Sequence, residues 1–127
     1  MKIILIFLLF PIFCLTQNKK DIGKDFIEGL YSEKIEKSYS YLDSSITAKF
    51  SLEQLKATLA DVGNQFGNFK GVIEVNNENN IYYYYCDFEK TKIDMMITFN
   101  DANKIAGFYY VPHKSFDTDN TQNKNTK

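Results

Sequence analysis

Asp87 and Asp94 stand on either side of a short polar turn, EKTK, that joins two strand-like runs, IYYYYCDF and IDMMITF. Across such a hairpin the two carboxylates could face one another beside tyrosine hydroxyls. A desolvated carboxyl next to a phenol is the proton-transfer pair of a small isomerase or dehydratase. Both acids also lie close to Glu89, Lys90 and Lys92, which is the composition of a solvated turn. His113 is the single histidine. A Ser/His/Asp arrangement would have to use it, with Asp87, Asp94 or Asp117 orienting the ring, but no nucleophile motif accompanies it. Its place after Pro112 reads as an exposed histidine at a frayed strand end. One histidine and, once a leader is removed, one cysteine supply too few strong ligands for structural zinc. No acidic spacing resembles a calcium loop, so neither a metal nor another cofactor is expected.

The four consecutive tyrosines Tyr82, Tyr83, Tyr84 and Tyr85 are the most distinctive feature. Strand alternation sends Tyr83 and Tyr85 to one side of a sheet and Tyr82 and Tyr84 to the other. Periodicity does not say which pair meets the core. The remaining pair, with Phe108 and Tyr110, is expected on a partly exposed face suited to stacking on a peptide or sugar, or to a dimer interface. Tyrosines also tolerate a half-wet sheet face with no partner at all. Cys86, mid-strand among them, reads as a small buried hydrophobe rather than a reactive thiol.

The amino terminus bounds the setting. Met1 and Lys2 precede an apolar run from Ile3 to Phe13 that turns polar at Thr16. That run is too short to span a bilayer and suits the apolar region of an export signal, with cleavage expected before Gln17 and a periplasmic or secreted product. Retention of Cys14 as an acylated lipoprotein cysteine is the alternative, which bulky Phe13 disfavours. Removing Lys2 with the leader leaves 14 lysines against 16 acids, a formal charge of −2. The chain has no arginine and no basic patch, which argues against nucleic-acid binding. With only Cys86 left, no internal disulfide can form, and stability must come from an apolar core.

The elements that would position these residues follow from periodicity. Ile22, Phe26 and Leu30, spaced by four, mark a first amphipathic helix that Gly29 ends or bends. Ser32 is placed as the N-cap of a second helix carrying Ile35, Tyr39 and Leu42, closed by Asp43, Ser44 and Ser45. Ser51 and Gln54 form a capping box for a third helix carrying Leu55, Leu59, Val62 and Phe66 and stopped by Gly67. Phe69 to Val75 alternates as a first strand, NNENN (Asn76 to Asn80) is a turn, and three strands over residues 81–88, 93–99 and 105–111 complete an antiparallel meander. The expectation is a single α+β domain over residues 19–113, three N-terminal helices on one face of a curved four-stranded antiparallel sheet, with a flexible polar tail over residues 114–127.

The order of Phe26 and Leu30, the S-L-x-x-L of Ser51, Leu52 and Leu55, then Gly67, Phe69, the Tyr82 to Phe88 strand and the K-I-A-G-F of Lys104 to Phe108 resembles the bacterial domain of unknown function 3887. The likeness spans roughly Asp21 to Pro112. It implies a cystatin-like or nuclear-transport-factor-2-like cone in an exported protein, found alone or ahead of an α/β-hydrolase domain. No G-x-S-x-G elbow is present here, so hydrolase activity does not carry over. The family's tryptophan in the long helix is also missing. The expected function is a non-catalytic binding or interaction module for a peptide, glycan or small molecule. The alternatives are a pocket enzyme using Asp87 or Asp94 and a structural homodimer.

Overall fold

The structure is a computed structural model that describes residues 18–116. The expected leader with Cys14, the Gln17 cleavage point, Asp117 and the tail beyond residue 116 lie outside the described residues.

Four helices precede four strands: α1 (Lys19–Leu30), α2 (Ile35–Ser40), α3 (Ser44–Thr47), α4 (Leu52–Phe66), β1 (Phe69–Glu78), β2 (Ile81–Phe88), β3 (Lys92–Phe99) and β4 (Ile105–Val111). The strands form one open antiparallel sheet in the order β1-β2-β3-β4. Asn18 caps α1 by accepting from the Asp21 amide at 2.9 Å. The stripe Ile22, Phe26, Leu30, joined by Ile27, is buried against the sheet. The Ser51 and Gln54 capping box is present on α4, and Gly67 ends that helix with a positive φ of 78° that a side chain would resist.

Four expectations are corrected. Ser32 does not cap the second helix. Its hydroxyl donates to the Gly29 carbonyl, and α2 starts only at Ile35. Leu42 is not a helical residue but bridges to Ile105, with Asp43 N–H donating to the Ile105 carbonyl at 2.8 Å. The residues read as a helix end instead begin a fourth, one-turn helix, because the Asp43 carbonyl accepts from both Ile46 and Thr47. The NNENN turn is shorter than expected. Asn76, Asn77 and Glu78 continue β1, and only Asn79 and Asn80 turn, at φ 55° and 63°. Two consecutive left-handed asparagines are the geometry of a tight two-residue hairpin turn, and asparagine tolerates it better than most residues.

The core lies between the helices and one face of the sheet. Phe26, Ile27, Leu55, Tyr84, Cys86, Met95, Ile97 and Ile105 are fully buried there. Full burial of such side chains contributes roughly 1.5–3 kcal/mol each. Gly29 explains why α1 and α2 pack so closely: Ser38 Oγ donates to the Phe26 carbonyl at 2.8 Å, and a Cβ on Gly29 would lie 2.1 Å from that oxygen. Gly29 therefore serves a close helix approach, and α1 ends one residue beyond it, at Leu30. Among the described residues no helix is long and apolar enough to cross a membrane.

Candidate functional site

The register decides which tyrosines meet the helices. Tyr84 lies opposite Met95 and Val75 on the inner face and is fully buried, its hydroxyl donating to the Lys20 carbonyl at 2.8 Å. Tyr82, two residues earlier on the same face, meets Phe99 edge-on with ring centroids 5.5 Å apart. Tyr83 and Tyr85 therefore point outward, away from the helices.

Phe108 and Tyr110 do not join them. They lie opposite Ile97 and Met95 on the inner face. Phe108 packs edge-on against Phe26 at 5.3 Å, and Tyr110 contacts Phe66 and shares a hydroxyl–hydroxyl bond with Tyr31. The expected grouping of Phe108 and Tyr110 with an exposed tyrosine pair is thus corrected. The aromatic residue that β4 sends outward is Tyr109, which is 56% exposed. Its ring lies over Gly107, where a Cβ would stand 3.1 Å from the ring edge. The signal was present in the sequence: once Tyr110 is inward, alternation turns Tyr109 outward.

Asp87 and Asp94 are both on the outer face but do not face one another. Asp87 lies opposite Lys92, and Asp94 lies opposite Tyr85. Asp94 is almost wholly buried, at 1% exposure, although the helices are on the other side of the sheet. What buries it is the chain after β4. His113 turns back so that its ring stacks on Tyr85, centroids 3.7 Å apart and planes 16° from parallel. Its Nδ1 lies 2.8 Å from one Asp94 oxygen, and the Lys114 amide donates to the other at 2.8 Å. A carboxylate only accepts, so the Nδ1 proton is the one shared. Lys114 Nζ pairs with Glu78 at 2.8 Å and stands 5.3 Å from the centre of the Tyr83 ring. Phe116 closes the row, its ring 5.3 Å from that of Tyr83. His113 is therefore not a frayed end, and the segment expected to begin the tail lies on the sheet through residue 116.

Residues 112–116 form a short strap across the outer face, and Asp94 is its anchor. Tyr85 sits between two carboxylates in the register, Glu74 on β1 and Asp94 on β3. Glu78 and Asp87 add two more acids to the same face, set against Lys92, the strap's Lys114 and Lys70 beside Asp87, so the face is aromatic with a slight excess of acids. Such a surface favours cations over aromatic rings and the N–H donors of a peptide.

His113 and Asp94 are in the kind of contact that orients a histidine base, but among the described residues no hydroxyl is hydrogen-bonded to the ring. Two hollows on the described surface lie elsewhere. One, of about 400 Å³, is lined by Tyr39, Asp43, Asn100 and Lys104. The other, of about 390 Å³, is lined by Lys70, Asp87, Glu89 and Lys92 at the β2–β3 turn. Neither takes in Asp94 or the outward tyrosines. Among the described residues no group of three or more His, Cys, Asp or Glu side chains could hold a metal ion. Cys86 is buried with its thiol donating toward the Tyr84 carbonyl at 3.3 Å, and burial pushes that thiol up to about 12.

No curated protein and no solved structure matches the chain. A family model, protein of unknown function (DUF3887), matches residues 23–108, well over half of the 127 residues. The core positions of that span are those described above, from α1 through the K-I-A-G-F that opens β4, and the chain belongs to this family.

Proposed function

We propose that the chain is an exported binding module that holds an extended peptide bearing aromatic and cationic side chains on its outer sheet face, without catalysis. The observation that carries this reading is the strap. On that face a histidine stacks on Tyr85, a backbone N–H is accepted by buried Asp94, and a lysine and a phenylalanine share Tyr83. These are the contacts a partner segment of the same chemistry would make. The strap leaves Tyr109 open beside it. Under the helices the described inner face is filled by Phe26, Leu55, Tyr84 and Met95. We extend the proposal to the cone fold, in which the helices close one side of a curved sheet. Two pairing irregularities in β1 and one between Thr98 and Phe99 support that curvature.

The test is a nuclear magnetic resonance titration of the full mature chain with a short peptide alternating lysine and phenylalanine, and with a glutamate and phenylalanine peptide as control. The expected result is saturable shifts at Tyr83, Tyr85, Met96 and Tyr109 with the first peptide only. Shifts confined to the Tyr39 and Lys104 groove, or none, overturn the reading. Sequencing the amino terminus of the exported product tests processing before Gln17.

A further inference from the structure

Resting on that reading, we infer that the strap of residues 112–116 is a built-in competitor that occupies the peptide face and must lift before a partner is held there. The strap fills both aromatic positions of β2 at once, with His113 on Tyr85 and Phe116 on Tyr83. It also uses both oxygens of Asp94. A partner cannot reach Tyr85 or Asp94 while these contacts stand.

The strap's own hold is local and peripheral. His113 keeps 30% of its side chain exposed, and Lys114 and Glu78 keep 42% and 46%. No strap side chain enters the core on the inner face. Lifting it exposes Tyr83, Tyr85 and Asp94 without disturbing the packing under the helices. Because the strap follows β4 directly through Pro112, its effective concentration at the face is in the millimolar range or higher, as for any short tether. An incoming peptide therefore competes with a tethered copy of its own chemistry.

The experiment compares affinities of the lysine and phenylalanine peptide for the full chain and for the full chain carrying His113→Ser with Phe116→Ser. The doubly substituted chain is expected to bind about ten-fold tighter, equivalent to about 1.4 kcal/mol. A second variant, Lys114→Glu, places like charge against Glu78 on an exposed side chain. It loosens the strap by breaking the Glu78 pair and the ammonium contact with the Tyr83 and Phe116 rings while leaving His113 and Phe116 themselves in place. It is expected to raise affinity in the same direction, so a folding defect in the first variant does not decide the matter. Equal affinity for all three chains overturns the competitor while the module reading stands. Weaker binding by the variants overturns it too, since the strap would then be part of the binding surface. Binding to none of them removes the module reading itself.

Discussion

Asp94 joins the sheet to the strap, and its burial is produced by a ring and a backbone amide that arrive from 19 and 20 positions further along the chain. Removing its carboxylate leaves two donors to find water. Asp94→Ala is expected to release the strap and cost about 1 kcal/mol, because both donors that the carboxylate serves belong to the strap and reach water once it lifts. Asp94→Asn, which keeps the shape and one acceptor oxygen, is expected to cost less. The ring-current displacement of the His113 proton resonances reports the stack on Tyr85. It should collapse to free-histidine positions in Asp94→Ala and persist in part in Asp94→Asn, and an unchanged spectrum in the alanine variant would rule out the anchor. This pairing was only half legible beforehand. The sequence offers Asp94 as one of three orienters for His113, but choosing among them requires the β3–β4 register and the reversal at Pro112, neither of which leaves a local trace. Tyr83 and Tyr85 were legible as a pair, whereas their side of the sheet was not, since alternation carries no sign.

Close backbone approaches that look alike in sequence separate sharply among the elements. Gly23 in α1 lies over Tyr84, and a Cβ there would stand 2.0 Å from the phenol oxygen, whereas a Cβ at Gly63 in α4 meets nothing within 4 Å. Alanine in place of helical glycine normally stabilises by about 0.5–1 kcal/mol. Gly63→Ala should do so. Gly23→Ala should instead destabilise by roughly 1–3 kcal/mol, because the ring that would have to yield is fully buried and bonded to the Lys20 carbonyl. Denaturant midpoints of the two variants decide this, and a stabilising Gly23→Ala would mean that Tyr84 is not held where the structure places it. The elements legible in advance were those whose signals are local: the Ser51 and Gln54 box, the Gly67 stop, the alternating strands. The second helix was misread because its boundary is set at a distance. Leu42 leaves the helical path to bridge Ile105, a partner 63 positions away, and no window of sequence around Ser32 or Asp43 contains that fact.

Taken whole, the molecule has a dry inner side under the helices and an outer side crossed by the strap, and alkaline titration probes the first. Burial raises the folded pKa of Tyr31, of Tyr84 and, to about 12, of Tyr110, from an ordinary 10.0, and that of Cys86 to about 12 from 9.0. All four point inward. A group whose folded pKa is raised keeps its full contribution to stability below the unfolded value and loses it as pH climbs towards the folded one. The melting temperature should therefore be insensitive to these groups at neutral pH. It should fall once the unfolded chain begins to release the Cys86 proton near 9.0 and the three tyrosine protons near 10.0. By about pH 11 each buried tyrosine should cost on the order of 1 kcal/mol. The tyrosinate absorbance that belongs to Tyr31, Tyr84 and Tyr110 should then appear only as circular dichroism is lost, together with access of a thiol reagent to Cys86. Complete tyrosine ionisation before any loss of helix would show that the inner face is wet. The separation between a sealed inner face and a strapped outer face would then fail.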